Sequence, residues 1–176
     1  MTKVVVHADD VAFCQGANDA FVELSASKGI SAGAAMVPCP WFHDLAQRLE
    51  GVDPDAVDLG IHLTLTSEHP GYRWSPITRP APSAGLTDGD GYMWPRVSDV
   101  RAHAHPDAVE AEWRAQIDRA LSAGVDVTHL DAHMGAALAP EWCERCAHVG
   151  VEVRDVDTRR QRTIDLRPPL GLDGIG

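Results

Sequence analysis

Short apolar runs alternate along the chain with segments whose apolar positions recur at helical spacing, a pattern that predicts βαβ units around a parallel sheet. Val4 to Ala8 reads as the first strand. Ala17 to Lys28 carries Ala20, Phe21 and Leu24 at helical spacing and stops at Gly29, a suitable C-terminal cap. Ile30 to Val37 is the second strand, ended by Pro38 and Pro40, and Trp41 to Leu49 the second helix. Val57 to Thr66 reads as the third strand.

From Ser67 to about His105 the period is lost, and prolines, glycines and the aromatic residues Tyr72, Trp74, Tyr92 and Trp94 crowd in. A stretch of that length exceeds an ordinary connection and predicts a functional loop. Pro106 suits the first turn of a helix with an apolar stripe at Val109, Trp113, Ile117 and Leu121, ended by Gly124. Val125 to Asp131 reads as a fourth strand, Pro140 to His148 as a fourth helix and Gly150 to Val156 as a fifth strand. Beyond Val156 the pattern fails, which divides the chain into a βα domain at 1–156, with the long loop 67–105, and an irregular tail at 157–176. A closed eight-stranded barrel typically needs about 250 residues. The fold class expected is therefore α/β, with parallel βα units forming an open sheet or a partial, irregular (β/α) barrel.

With 44% hydrophobic residues in 176, the chain can bury one core. Its formal charge of −11 repels a phosphate backbone and favours a cation in an acidic cleft, which excludes nucleic acid as a partner. No stretch approaches the roughly 20 apolar residues of a membrane span, and the first apolar run meets two carboxylates too soon for a signal segment. Cys14, Cys39, Cys143 and Cys146 have no framework spacing. Reduced thiols in a cytoplasmic protein are the simplest reading. Cys143 and Cys146 fall on a predicted helix without a second pair, and core positions suit them better than a zinc or redox motif.

The chemistry gathers at predicted strand ends. Asp9 and Asp10 follow the first strand, His62 lies in Gly60-Ile61-His62-Leu63-Thr64-Leu65, and His129, Asp131 and His133 alternate by two through the end of the fourth strand. In parallel α/β folds such ends converge on one mouth. Taken singly, the aspartates read as a helix cap, His62 as a satisfied core histidine and His133 as a turn residue. Together they outweigh those readings, because two carboxylates behind a buried strand are costly unless paired or metal-bound. Asp10, His62 and His133 then make a site for one divalent ion, with Asp9 left as a base; His129 and Asp131 orient His133 or touch substrate. The donor types suit Zn²⁺, Mg²⁺ or Mn²⁺ alike. An aspartate pair also serves phosphotransfer receivers, phosphatases and deacetylases. The receiver is excluded, since no lysine follows Lys28.

His7-Ala8-Asp9-Asp10 followed by Gly16-Ala17-Asn18, then Asp58 to Leu65, then Thr128 to His133, together resemble the YdjC-like carbohydrate deacetylases over residues 3 to about 150. The resemblance implies a βα-barrel-type fold and hydrolysis of an acetyl group from an N-acetylated sugar or oligosaccharide with a divalent metal, Mg or Zn. By it, Asp10, His62 and His133 match the metal ligands and Asp9 the catalytic base. His7, Asp131, Trp74 and Trp94 are then candidates for substrate contact, the two tryptophans stacking on sugar rings or pinning the loop. The chain departs from the family in having Val11-Ala12 where Phe-Gly is usual and Met134-Gly135 where histidines are frequent. Members also continue further, so a C-terminally truncated form is expected, with His129 as the candidate general acid. Unpaired sheet edges would favour a homo-oligomer. A non-catalytic metal- or glycan-binding module, or a metallohydrolase of phosphoesters or other amides, are the alternatives.

Overall fold

The computed structural model describes residues 4–53, 56–140, 142 and 144–149. Strand β1 (His7–Val11), helix α1 (Gln15–Ala26), β2 (Ala32–Ala35), α2 (Phe42–Leu49), β3 (Leu59–Leu63), α3 (Val97–His103), α4 (Pro106–Ser122) and β4 (Val127–Ala132) follow in order. The four strands are parallel and lie in the order β1-β2-β3-β4. Each crossover therefore advances the sheet in the same direction. With right-handed crossovers this winding puts the helices on one face of the sheet.

Burial explains why these segments pair. β3 is buried at every position, as a central parallel strand should be, and α4 lays Val109, Trp113 and Ile117 against β3 and β4. The expected stripe is shorter than its pattern, for Leu121 is 37% exposed and Ala120 takes the buried place. On α1, Phe21 is buried while Leu24 and Ala20 face solvent. That helix ends at Ala26, and Lys28 at φ +57°, not Gly29, takes the left-handed position. Helical residues resume at 140 and run through 144–149. The expected fifth strand at 150–156 and the tail at 157–176 lie outside the described residues.

Two departures from expectation matter for the site. β1 begins at His7 instead of Val4, because β2 offers its first partner only at Ala32; Val4 and Val5 are left 75% and 70% exposed beside an edge strand. It also runs on through Asp9 and Asp10, which sit inside the strand and not behind it. Between the pairs Ala8↔Gly33 and Val11↔Ala35 the strand carries one extra residue, and Asp10 takes φ +56° there. Such a bulge re-aims side chains, and aspartate tolerates the left-handed region better than most residues. Adjacent residues of a regular strand would point to opposite faces.

The long loop has more structure than its sequence suggests. It contains α3, too short to display a helical period, and a 3₁₀ turn at Pro82–Ala84. Buried Glu112 of α4 ties it down, accepting hydrogen bonds from Ile77 N, Thr78 N and Thr78 Oγ1. Arg73 bridges Asp88 and the Met93 carbonyl, and Tyr72 Oη donates to the Phe13 carbonyl. The loop is thereby fixed over the C-terminal ends of β1 and β3.

Candidate metal centre

The bulge in β1 directs Asp10 toward the two buried histidines. His62 lies next to the C-terminal end of β3 and pairs in register with Asp131 of β4. His133 opens the turn that ends β4, where Met134 and Gly135 both take positive φ and fold the chain back. These three placements converge: Asp10 Oδ1 lies 3.0 Å from His133 Nδ1 and 3.3 Å from His62 Nε2. Their side chains are 4% and 5% exposed at the histidines and 53% at the aspartate, so the cluster is buried on the strand side and open at the mouth.

Each histidine also meets a carboxylate through its far nitrogen. His62 Nδ1 lies 3.0 Å from Asp131 Oδ2, at an angle poorer than a full hydrogen bond requires. His133 Nε2 lies 3.1 Å from Glu68 Oε2. Glu68, in the loop just beyond β3, is absent from the sequence reading; a carboxylate in Thr66-Ser67-Glu68, directly past a strand carrying a histidine, is the signal that could have pointed to it. Carboxylates behind ligand histidines fix ring orientation and tautomer.

The electrostatics follow from these contacts. Hydrogen bonds from His133 and His62 hold the Asp10 carboxyl far below the usual carboxylate range. Burial pushes the His62 imidazole down, but Asp10 and Asp131 outweigh it and hold it at about 9. The close contact with the His62 ring lowers Asp131 to about 2. Without a cation, the buried His62 imidazole draws a proton to balance the two carboxylates it meets.

One ligand atom from each of Asp10, His62 and His133 lies within 4.8 Å of the other two, a spacing that a single ion with bonds of about 2.0–2.2 Å can span after small adjustments. Oxygen and imidazole nitrogen are suitable donors for Zn²⁺ and tolerated by Mg²⁺, so the group fits a divalent ion without fixing which. His7, Asp9 and Asp131 meet the same spacing, but both ring nitrogens of His7 are engaged, Nδ1 with Asp9 Oδ1 at 2.7 Å and Nε2 with His129 Nε2 at 2.8 Å.

Of the other candidates, Asp9 stands at the mouth, 62% exposed at its side chain. His129 reaches it only through His7, and its ring occupies the space a side chain at Gly60 would need, where a Cβ would come within 2.6 Å of it. Trp74 is 3% exposed, packs edge-on to His133 at 6.4 Å, and its indole Nε1 has no hydrogen-bond partner among the described residues. Phe13 and Tyr72 flank it. Trp94 stacks on His103 at 4.4 Å and donates from Nε1 to the Gly85 carbonyl, which engages its ring in the loop's own packing. A cleft of about 490 Å³ between α1 and α2, lined by Phe21, Leu49, Val52 and Val57 among others, contains none of these residues.

Comparison with known proteins points the same way. Residues 3–168 match the family described as YdjC-like protein. A carbohydrate deacetylase of Thermus thermophilus is 36% identical over 141 residues, covering 80% of this chain and 47% of that protein. One from Brevibacillus brevis is 35% identical over 131 residues, covering 74% and 48%. The chain thus spans about half the length of the curated relatives it matches. A solved structure from Enterococcus faecalis, described provisionally as a cellobiose-phosphate cleavage protein, superposes with a TM-score of 0.67 at 22% identity, over 86% of this chain and 55% of that one. At that identity the likeness concerns the fold.

Proposed function

The chain belongs to the YdjC-like family, and we propose that it is a metal-dependent carbohydrate deacetylase, hydrolysing the linear amide C–N bond of an N-acetylated sugar. The observation that carries this reading is the convergence of Asp10, His62 and His133 on one point beside a solvent-facing Asp9 carboxylate, in a chain whose relatives are named for that activity.

Asp10, His62 and His133 would hold the ion, with Asp131 and Glu68 orienting the two imidazoles. What a divalent ion, Zn²⁺ or Mg²⁺, supplies in such a site is Lewis acidity toward a carbonyl oxygen and toward water. His7 Nδ1–H donates to Asp9 Oδ1, which leaves the second carboxylate oxygen to accept the proton of the attacking water as the C–O bond forms. Phe13 and Tyr72, half-buried and packed edge-on over the buried Trp74, form an aromatic wall suited to the apolar face of a sugar ring, with Trp74 as its support. Free thiols at Cys14 and Cys39 suit a reducing compartment, and the cytoplasm is the location proposed. No helix among the described residues is long and apolar enough to cross a membrane.

The test separates ligands from base. Asp10→Ala, His62→Ala and His133→Ala should each lower divalent-ion affinity measured by calorimetry, whereas Asp9→Asn should bind the ion normally and lose acetate release from N-acetylglucosamine oligomers. Ion binding by the unaltered chain with no acetate released across Zn²⁺, Mg²⁺, Mn²⁺ and Co²⁺ would refute catalysis by this chain and leave a binding module. No loss of affinity in the three alanine variants would refute the metal site itself.

A further inference from the structure

A chain of hydrogen bonds runs from Asp9 into the sheet. His7 Nδ1 lies 2.7 Å from Asp9 Oδ1, His7 Nε2 lies 2.8 Å from His129 Nε2, and His129 Nδ1 lies 2.8 Å from Thr128 Oγ1. Thr128 Oγ1 in turn donates to Asp58 Oδ1. The last two links exist because β4 carries an extra residue between the pairs Leu59↔Val127 and Ile61↔Leu130, so that the neighbouring side chains of Thr128 and His129 meet. The side-chain-free Gly60 opposite leaves room for the His129 ring.

Counting donors along this chain gives a definite result. An ionised carboxylate only accepts, and a hydroxyl has one proton to give. The Thr128 proton has two oxygen acceptors, Asp58 Oδ1 and, at 3.1 Å, the Leu59 carbonyl; with it directed to either, the Thr128 oxygen must accept from His129, whose Nδ1 is therefore protonated, and Asp58 Oδ1, 3.7 Å from that nitrogen, favours the same state. At the other end Asp9 requires a proton on His7 Nδ1. Were both rings neutral, their two Nε2 lone pairs would face each other at 2.8 Å, a repulsive contact. One more proton is needed between them.

We infer that His7 and His129 form a proton-sharing pair, carrying one proton beyond the two neutral rings, that positions Asp9 and balances its charge. The charged groups facing the pair are Asp9 on β1, Asp58 before β3 and Asp131 on β4, all acidic. This deepens the deacetylase reading, on which only the role of Asp9 depends. There the proton that Asp9 takes from water as the C–O bond forms, and the one the amine nitrogen needs as the C–N bond breaks, balance through a carboxylate linked to a proton reserve. His129, with His7 between it and Asp9, acts in this account as a positioning residue.

Long-range ¹H–¹⁵N correlation spectra of the histidine-labelled, metal-free chain at neutral pH test the pair without reference to turnover. Expected are protonated Nδ1 on both rings and Nε2 signals displaced together from the unprotonated position by a shared proton. His129→Gln should return His7 to the pattern of a single ring, with its Nδ1 still protonated toward Asp9. Either ring found unprotonated at Nδ1, or both Nε2 signals at the unprotonated position, overturns the inference whatever acetate release shows. Should the variant fail to fold, the spectrum of the unaltered chain decides alone. The expected spectrum with no acetate released would retain the pair and reject the deacetylase reading instead.

Discussion

Glu112→Gln exchanges one oxygen for an NH₂ group at the residue that ties the long loop to α4, and its cost can be worked from four contacts. Oε1 accepts from Ile77 N at 2.9 Å and Gln116 Nε2 at 3.0 Å, and Oε2 accepts from Thr78 N at 3.0 Å and Thr78 Oγ1 at 2.7 Å. Glutamine has a single oxygen. Placed at Oε1, it keeps Ile77 and Gln116 but turns its amide nitrogen toward the Thr78 N–H, donor against donor, while the Thr78 hydroxyl can rotate to accept. Gln116 cannot flip to compensate, since its own amide is committed to Thr64 N and Thr64 O. One N–H, in a bond that is only part-buried, is orphaned at the low end of about 1–3 kcal/mol, and two surviving bonds fall from charged to neutral strength at about 1 kcal/mol each. Relief of burying a charge offsets part of this, by several kcal/mol at most. A net loss of about 2 kcal/mol is expected, read as a lower urea midpoint at unchanged m-value, together with faster amide exchange at Ile77 and Thr78. A midpoint shift corresponding to less than about 0.5 kcal/mol, the scatter of ordinary surface changes, with Thr78 still protected, would refute the anchoring role.

Further expectations concern the site. Gly60→Ala would place a Cβ 2.5 Å from the His129 carbonyl oxygen and 2.6 Å from its ring; overpacking of this kind typically costs about 1–3 kcal/mol, so a thermal melt unchanged from the parent would contradict the packing described. In the metal-free chain His62 is raised from 6.5 to about 9. Its stabilising contribution is therefore complete below pH 6.5 and lost as pH rises through about 9. Urea midpoints should fall across that window, and a flat profile would count against the contacts with Asp10 and Asp131. Because an ion must displace that proton, divalent affinity should climb over the same range, a trend that calorimetry at stepped pH can check.

The residues of the centre were legible because chemistry at a strand end is local. Asp9 and Asp10 close an apolar run, His62 lies near the C-terminal end of β3 and His133 follows β4, and the parallel βα pattern brings such ends together whatever the details. What the chain order could not reveal depends on register and on side-chain direction. A regular strand sends Asp9 and Asp10 to opposite faces, and only the extra residue in β1, with Asp10 at φ +56°, re-aims them within one mouth. Glu68 lies in a segment without period, so its contact with His133 arises from the tertiary anchoring of the loop. His7 and His129 stand 122 residues apart, and their meeting requires both bulges and the bare Gly60 between them. Periodicity encodes which face is buried because burial repeats along the chain; which two polar groups touch across strands is set by the pairing of those strands, a property of the folded sheet.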